Sequence, residues 1–288
     1  MLGVFYISLY LYYMKIVKYK LNEGISPEGT PDSKYYAFDW DDNIVSMPTK
    51  IILKNEHGDD VGMSTEDFAH YRSMIGKEDF EYEGEKIVGF AEDPFRNFGV
   101  KGDKQFIVDA MLAKEGPAWN DFVEAINNGS IFSIVTARGH TPSVLKEATY
   151  NYIISNHNGL DSQELIKNLK KYRDIADEED MSDSELIREY LDMCKFYPVS
   201  YNNEKGASNP EQAKIEALEE FTRYIKHMSN KIHKKAYMKN KVNNYFVPKI
   251  GFSDDDLRNV EKVKSHFEQD PENIITTYST AGGIKKLY

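Results

Sequence analysis

The sequence has a single cysteine, Cys194, and its seven histidines include no pair of the His-x-x-x-His kind. One cysteine cannot form an intrachain disulfide, and nothing in the composition argues for an oxidising compartment, so we expect a cytoplasmic protein. The absence of closely paired histidines and of further thiols argues against a zinc enzyme. The composition therefore excludes a disulfide scaffold and disfavours zinc chemistry.

Positive charge is also scarce, with 36 basic against 47 acidic side chains and a net charge of -11. A molecule of this charge has no general affinity for a nucleic-acid backbone. Residues 226–241 form a locally basic run that could supply such affinity, but a run of this kind is more often an exposed helix face. We therefore favour a small phosphorylated or otherwise charged molecule over nucleic acid as the partner.

No apolar run is long enough for a membrane span, which needs about 20 residues. Residues 1–14 carry no charge and precede Lys15, Lys18 and Lys20, but they lack the basic start and cleavage site of a secretory signal. Three interpretations remain: a stretch read upstream of a true start at Met14, an apolar element packed on the domain, and a short membrane-associating end. We favour the first and expect no stable membrane insertion.

Five short apolar stretches have the length of buried strands and alternate with segments of helical periodicity. They are residues 35–38, 131–135, 196–200, 249–252 and 274–278. This alternation predicts an α/β fold with a doubly wound, mostly parallel five-stranded sheet of the Rossmann-like type. Pro198 places the third of these strands at a sheet edge.

The first two predicted strands are too far apart for a simple crossover, so we expect residues 46–130 to form an inserted cap or flap subdomain. Residues 35–45 and 131–288 would then form the core, and residues 1–34 an N-terminal extension. Within the insert, residues 49–61 have the pattern of a hairpin, and Ser64 with Asp67 resembles a helix N-cap.

The first strand runs directly into acidic residues, in the order Phe38-Asp39-Trp40-Asp41-Asp42. If the chain is still extended there, Asp39 and Asp41 point the same way and bring two negative charges into one small space. Carboxylates so placed either share a proton or gather around a metal ion. A polar loop after a strand is the simpler interpretation for an isolated Asp-x-Asp.

Other predicted strands also end in residues that suit a phosphate and a cation. Thr136 closes the second strand, Lys214 lies in the helix after the third, and Asp254 and Asp255 follow the fourth. Parallel sheets bind ligands beyond the carboxyl ends of their strands, near the point where strand order reverses. The shared position of these residues favours a single site over scattered polar loops.

In these motifs the sequence resembles the haloacid-dehalogenase-like (HAD) superfamily, most of whose members are magnesium-dependent phosphatases. The family's Asp-x-Asp motif corresponds to Asp39 and Asp41, and its strand-closing Ser or Thr to Thr136. Its Lys near a helix start corresponds to Lys214, and its acidic pair to residues 254–255. The motifs occur in family order between about residue 35 and residue 260.

The resemblance implies a phosphomonoester hydrolase in which Asp39 is the nucleophile and forms an aspartyl-phosphate. Asp41 would protonate the leaving oxygen and later activate water. Mg²⁺ would be held by Asp39, the main-chain carbonyl of Asp41, and Asp254 or Asp255, while Thr136 and Lys214 would bind the phosphoryl group. The presence of Asp41 argues against the dehalogenase branch of the family.

Two departures from the family pattern keep other functions open, since Asp42 and Asn43 stand where the family usually has Gly and then Thr or Val. One alternative is a polynucleotide end phosphatase, suggested by the basic run. Another is a catalytically silent, metal-binding interaction module. Arg138 and His140 follow Thr136 and could touch substrate, although a surface role is at least as common for such residues.

Overall fold

A computed structural model describes residues 34–172, 181–201, 210–240 and 248–288, and it describes the side chains of these residues except in 171–172 and 230–240. The predicted N-terminal extension, apart from Lys34, lies outside this part of the chain. The same holds for the side chains of the basic run beyond Ser229. Among the described helices, none combines the length and apolar character that crossing a membrane would need.

The strands and helices of the described residues are numbered in chain order. The strands are β1 Lys34–Phe38, β2 Val45–Ser46, β3 Ile51–Asn55, β4 Asp60–Met63, β5 Phe80–Tyr82, β6 Glu85–Phe90, β7 Lys114–Glu115, β8 Phe132–Thr136, β9 Lys195–Pro198, β10 Lys249–Asp254, β11 Ile275–Ser279 and β12 Lys286–Leu287. The helices are α1 Thr65–Tyr71, α2 Asp103–Leu112, α3 Trp119–Asn127, α4 Pro142–Ile154, α5 Ser162–Tyr172, α6 Asp183–Met193, α7 Pro210–Asn240 and α8 Leu257–Phe267.

The main sheet has six strands in the order β12-β11-β10-β1-β8-β9. The pairs from β11 to β9 are all parallel, and β12 runs antiparallel to β11. The predicted α/β class and largely parallel sheet are confirmed, but the sheet has six strands and not five. Because β12 is only two residues long, it has no alternation of apolar and polar residues from which a strand could be predicted. Pro198 ends the edge strand β9, as predicted.

Strand order reverses beside β1. The chain leaves β1, passes to β8 and β9 on one side, and returns to β10 on the other side of β1. Phe38 pairs with Ser253 in the β1–β10 register, so Asp39 and Asp254 lie level at the carboxyl ends of neighbouring strands. The fold thus brings two of the predicted acidic residues together at the point where open parallel sheets leave a crevice.

A separate four-stranded antiparallel sheet, which we call the small sheet, has the order β4-β3-β6-β5. Its β3–β4 pair confirms the predicted hairpin. Ser64 caps α1 by accepting a hydrogen bond from the Asp67 amide, as predicted. The strands β5 and β6 were not predicted from the sequence. With α1, the small sheet buries a cluster of its own: Ile51, Leu53, Met63, Ile75, Phe80, Tyr82 and Ile87.

The helices α2 and α3 follow the small sheet in the chain but pack into the main core. Phe106 and Trp119 are buried there, together with Trp40 from the acidic loop after β1. The Trp40 ring lies 5.6 Å from Phe106 and 6.1 Å from Tyr152, measured between centroids. The insert therefore contributes both the small sheet and part of the core, and the predicted domain boundaries stay a prediction.

The acidic loop after β1 is held from behind by residues 116–118. The Gly116 amide donates to Ile44 O at 2.8 Å, and the Ala118 amide donates to Asn43 O at 2.8 Å. A Cβ on Gly116 would lie 2.4 Å from Asn43 O, which is closer than any side chain allows. Glycine is required here because two backbone segments touch.

We expect Gly116→Ala to lower the free energy of unfolding by about 1–3 kcal/mol, because the added methyl group must push the Asn43 carbonyl away. The matched control is Gly89→Ala in β6, where a Cβ would meet nothing within 4 Å. Urea unfolding followed by circular dichroism measures both. Equal stability of the two variants would show that the contact does not constrain the loop.

Candidate functional site

Asp39 is the first residue after β1, and its backbone is fixed to the neighbouring strand by a hydrogen bond from the Asp39 amide to Ser253 O at 2.9 Å. Its side chain is buried, and Oδ1 lies 3.0 Å from the Lys214 ammonium without the alignment of a good hydrogen bond. Burial raises the pKa of Asp39; Lys214 opposes the shift, and the charges of Asp254 and Asp41 add to it. A carboxylate in this setting is stabilised by added positive charge.

Lys214 reaches the site from α7 and is almost completely buried between two carboxylates. Its Nζ lies 2.7 Å from Asp254 Oδ2 as well as 3.0 Å from Asp39 Oδ1. Burial alone would lower the pKa of Lys214, but the two carboxylates outweigh burial and raise it. Lys214 is therefore held as an ammonium ion, and it allows Asp39 and Asp254 to approach each other.

Asp254 ends β10 and has a full set of hydrogen-bond donors. Besides Lys214, the Asn259 side chain donates to both carboxylate oxygens, at 3.1 and 3.0 Å, and the Asp256 amide donates to Oδ1 at 2.9 Å. Asp256 itself caps α8 by accepting from the Arg258 amide, as predicted. Asp254 thus holds Lys214 and the start of α8 in place.

Asp255 stands in contrast, because no donor among the described residues hydrogen-bonds its carboxylate. Burial, followed by the charges of Asp254 and Asp39, raises its pKa well above the ordinary value. Single carboxylate oxygens of Asp39, Asp254 and Asp255 lie within 4.8 Å of one another. When all three carboxylates are ionised, their charge less the one positive charge of Lys214 is minus two, which a divalent cation would neutralise.

The donor set fits a hard cation. All of its atoms are carboxylate oxygens, which Mg²⁺ and Ca²⁺ prefer to softer ligands. Asp39 and Asp255 each offer an oxygen that lacks a well-aligned hydrogen bond, whereas the Asp254 oxygens are already engaged. The side chains best able to bind the cation directly are therefore Asp39 and Asp255.

Asn43 ties the acidic loop to the end of β10 and to the loop after β11. Its side-chain amide donates to Asp39 O at 3.0 Å and to Ser253 O and Oγ at 3.2 and 3.1 Å. Its carbonyl oxygen accepts from Thr280 Oγ1 at 2.9 Å, in the loop after β11. Asn43 is completely buried, so these bonds replace water and fix the position of Asp39.

Asp42 has a backbone φ of +52°, in the left-handed region that favours glycine. Burial raises its pKa, while hydrogen bonds from Thr65 and Ser46 oppose the shift. Thr65 begins α1, so Asp42 connects the acidic loop to the helix beside the small sheet.

Thr136 ends β8 and is buried at the same edge of the sheet as Asp39. Two residues later, Arg138 forms a bidentate pair with Asp41, with Nε–Oδ2 and Nη2–Oδ1 distances of 2.8 and 2.7 Å. The Arg138 guanidinium also lies over the rings of Phe98 and Phe106, at 4.5 and 5.2 Å from their centroids. The expected surface role of Arg138 is wrong, since the residue is 2% exposed.

A buried polar chain continues behind Arg138. Arg138 Nη1 lies 3.3 Å from His140 Nε2, and His140 Nδ1 lies 2.9 Å from Asp103 Oδ1. Burial lowers the pKa of His140, Asp103 opposes the shift and Arg138 adds to it. These partners assign a neutral imidazole with its proton on Nδ1, accepting from Arg138 and donating to Asp103. The surface role considered for His140 is therefore wrong as well.

One cavity of about 710 Å³ brings the predicted site residues together. Its lining includes all six of them: Asp39, Asp41, Thr136, Lys214, Asp254 and Asp255. The lining also includes Phe68 of α1 and Phe95 and Phe98 after the small sheet. Arg72, just after α1, also lines it, with its nearest described carboxylate, Glu211, 4.0 Å away.

A second cleft, of about 1000 Å³, lies on the other side of α1 and shares Asp42 and Asp255 with the cavity. Acidic side chains dominate its charged lining, including Glu66, Asp67 and Glu115. The Asp39 site therefore has one approach lined by aromatic rings and one lined by carboxylates.

In comparisons with known proteins, no family model, no curated protein and no solved structure matches the chain. The site must therefore be interpreted from its own geometry. Sequence reasoning did not find the roles of Arg138, His140 and Asn259. The only available signals were short spacings: Arg138 comes two residues after Thr136, and Asn259 comes five residues after Asp254. Such spacings are equally common for ordinary loop and helix residues.

We expect replacement of Asp254 and of Asp255 by asparagine to have different effects on stability and on its dependence on Mg²⁺. Saturating Mg²⁺, at about 100 times its dissociation constant, should stabilise the protein by about 2.7 kcal/mol. Asp255→Asn should abolish this gain without destabilising the metal-free protein, because it removes a half-buried carboxylate to which none of the described residues donates a hydrogen bond. Asp254→Asn should destabilise the metal-free protein, because Lys214 and Asn259 lose a charged partner.

Thermal unfolding with Mg²⁺ and with EDTA measures both effects. An Asp255→Asn protein that retained the full Mg²⁺-dependent gain would show that Asp255 is not a ligand. Asp59→Asn, an exposed change in the β3–β4 turn, is the matched control and should behave as the wild type.

Proposed function

We propose that this protein is a Mg²⁺-dependent phosphomonoester hydrolase that acts through an aspartyl-phosphate on Asp39. The observation that carries the proposal is the convergence of six residues from four separate segments on one cavity, with a net local charge that suits a divalent cation. Carboxylates are rarely gathered in a buried space without a cation or a catalytic task.

The strand order supports a doubly wound core of the HAD-like type. In the parallel order β11-β10-β1-β8-β9, the chain adds β8 and β9 on one side of β1 and then β10 and β11 on the other side. Asp39 follows β1 directly. The two departures from the family pattern, at Asp42 and Asn43, are compatible with such a core. Asp42 adopts the left-handed conformation that the usual Gly would adopt, and Asn43 makes loop hydrogen bonds that the usual Thr could make only in part.

In this proposal Asp39 attacks phosphorus, a P–O bond to the leaving alcohol breaks, and water then hydrolyses the aspartyl-phosphate to inorganic phosphate. Asp39, Asp255 and the main-chain carbonyl of Asp41 would hold Mg²⁺, which would neutralise phosphoryl charge so that an anionic nucleophile can approach. Thr136 would donate a hydrogen bond to a phosphoryl oxygen, and Lys214 would stabilise the transferring negative charge.

The ion pair between Arg138 and Asp41 indicates which step Asp41 would catalyse. The bidentate guanidinium fixes the orientation of the Asp41 carboxylate. The fixed orientation supports Asp41 as the base that activates water in the second step. To donate a proton to the leaving oxygen in the first step, Asp41 would have to release Arg138. Arg138 is thus a positioning residue for Asp41.

The alternatives predicted from the sequence have less support. A polynucleotide end phosphatase was suggested by residues 226–241, whose side chains are described only as far as Ser229; of these, Lys226 lies near Asp270 and Glu272. A silent metal-binding module would share the carboxylates and Lys214, but it gives no reason for the orientation of Asp41 by Arg138. The cytoplasmic location also stays a prediction.

Hydrolysis of 4-nitrophenyl phosphate tests the proposal. We expect activity with Mg²⁺, loss of activity with EDTA, and a loss of about 10⁴-fold or more in kcat for Asp39→Asn, because the nucleophile is removed. The control Asp59→Asn should retain wild-type kcat. Wild-type turnover by a folded Asp39→Asn protein, or by the EDTA-treated wild type, would contradict the mechanism.

Arg138→Lys tests the positioning of Asp41, because lysine keeps the charge but cannot make the bidentate pair. With 4-nitrophenyl phosphate, which needs no proton donor, we expect a burst of about one nitrophenolate per site. A steady state slowed about 10²-fold should follow, because hydrolysis of the aspartyl-phosphate lacks its oriented base.

Rapid mixing with absorbance detection measures the burst. Arg96→Lys is the matched control, since Arg96 pairs with Asp60 on the surface of the small sheet. A steady state in Arg138→Lys as fast as in the wild type, or an equal loss in burst and steady state, would rule out this role.

A further inference from the structure

Three aromatic side chains, which we call the aromatic wall, line the same cavity as the carboxylates: Phe68, Phe95 and Phe98. The Phe68 and Phe95 rings meet edge to face at 5.5 Å, and the Phe95 and Phe98 rings at 6.0 Å, between centroids. Phe95 is 43% exposed, and Phe68 and Phe98 are half-buried. Aromatic surface left facing a cavity is characteristic of a ligand site.

The aromatic wall is joined directly to the catalytic end of the cavity. The Gly139 amide donates to Phe98 O at 2.8 Å, which ties the wall to the loop after Thr136. The Phe98 ring lies 4.5 Å from the Arg138 guanidinium carbon, and Arg138 holds Asp41. A single side chain therefore separates the wall from Asp41.

Basic side chains favour the cavity as the approach for a phosphate ester. The cavity lining includes Lys214, Arg138 and Arg72 together with seven carboxylates, whereas the described lining of the second cleft has Arg258 against six carboxylates. An ester that enters through the cavity and places its phosphoryl group at Asp39 has its other end in the space that the aromatic wall also lines.

We propose that the substrates are phosphomonoesters whose leaving group carries a planar aromatic ring, and that this ring packs against Phe68, Phe95 and Phe98. The inference rests on the proposed function, because it takes the phosphoryl end from the Asp39 site. A cavity of about 710 Å³ is large enough for such a molecule. The aromatic wall supplies edge and face contacts that a sugar or a short alkyl chain cannot match.

Binding of non-hydrolysable phosphonates tests the inference without relying on turnover. Calorimetry with Mg²⁺ compares benzylphosphonate, cyclohexylmethylphosphonate and methylphosphonate, which share the phosphoryl group. We expect benzylphosphonate to bind about tenfold more tightly than methylphosphonate, with the cyclohexyl compound between them. Phe95→Ala should remove most of the benzyl preference and leave methylphosphonate binding unchanged.

Phe90→Ala is the matched control. Phe90 is 42% exposed on the same small sheet, 6.2 Å from Phe95 between centroids, but it does not line the cavity. It should retain the benzyl preference. Both positions are exposed, so both variants are expected to fold.

Equal binding of benzylphosphonate and methylphosphonate, or binding of neither, would overturn the inference. So would a cyclohexyl compound that binds as tightly as the benzyl compound, or a preference that survives Phe95→Ala. These outcomes are independent of the proposed reaction. A protein that shows the benzyl preference but hydrolyses no aryl phosphate would retain the aromatic site and lose the phosphatase proposal.

Discussion

The arrangement of this protein depends on one buried ammonium group. Lys214 lies between Asp39 and Asp254, at 3.0 and 2.7 Å, where the carboxyl ends of two parallel strands meet. Without it, two buried carboxylates would face each other with no opposing charge, which costs several kcal/mol. With it, Asp254 is fully hydrogen-bonded and Asp255 is left without a donor among the described residues. The same contact therefore stabilises the sheet edge and leaves a place for a cation.

A second group of buried contacts orients the acidic loop. Asn43 links Asp39 to β10 and to the loop after β11, and Gly116 allows a backbone to pass directly behind Asn43. Arg138 holds Asp41 from the other side and is itself packed against Phe98. Side chains that are fixed in this way need little reorganisation during a reaction, which is the general basis of electrostatic catalysis in enzymes.

Much of the fold could be predicted from local patterns. The strands at β1, β8, β10 and β11 are short apolar runs that end in polar residues, and α8 has an apolar stripe with Asp256 at its cap. The strands β5 and β6 were missed because the sequence there is rich in charge and turns. Arg138 and His140 were misjudged because polar side chains after a strand are usually solvated; their burial depends on Phe98 and Asp103, which are distant in the chain.

The sequence by itself determined the α/β class, the acidic turn after β1 and the choice of six candidate site residues. These features are local, because they follow from periodicity and from side-chain chemistry at strand ends. Only the tertiary structure decided that these residues and three aromatic rings line one cavity, that Asp254 is hydrogen-bonded while no described residue donates to Asp255, and that Arg138 holds Asp41. Each of these depends on distances between segments separated in the chain, which strand order and packing set and which no local pattern encodes.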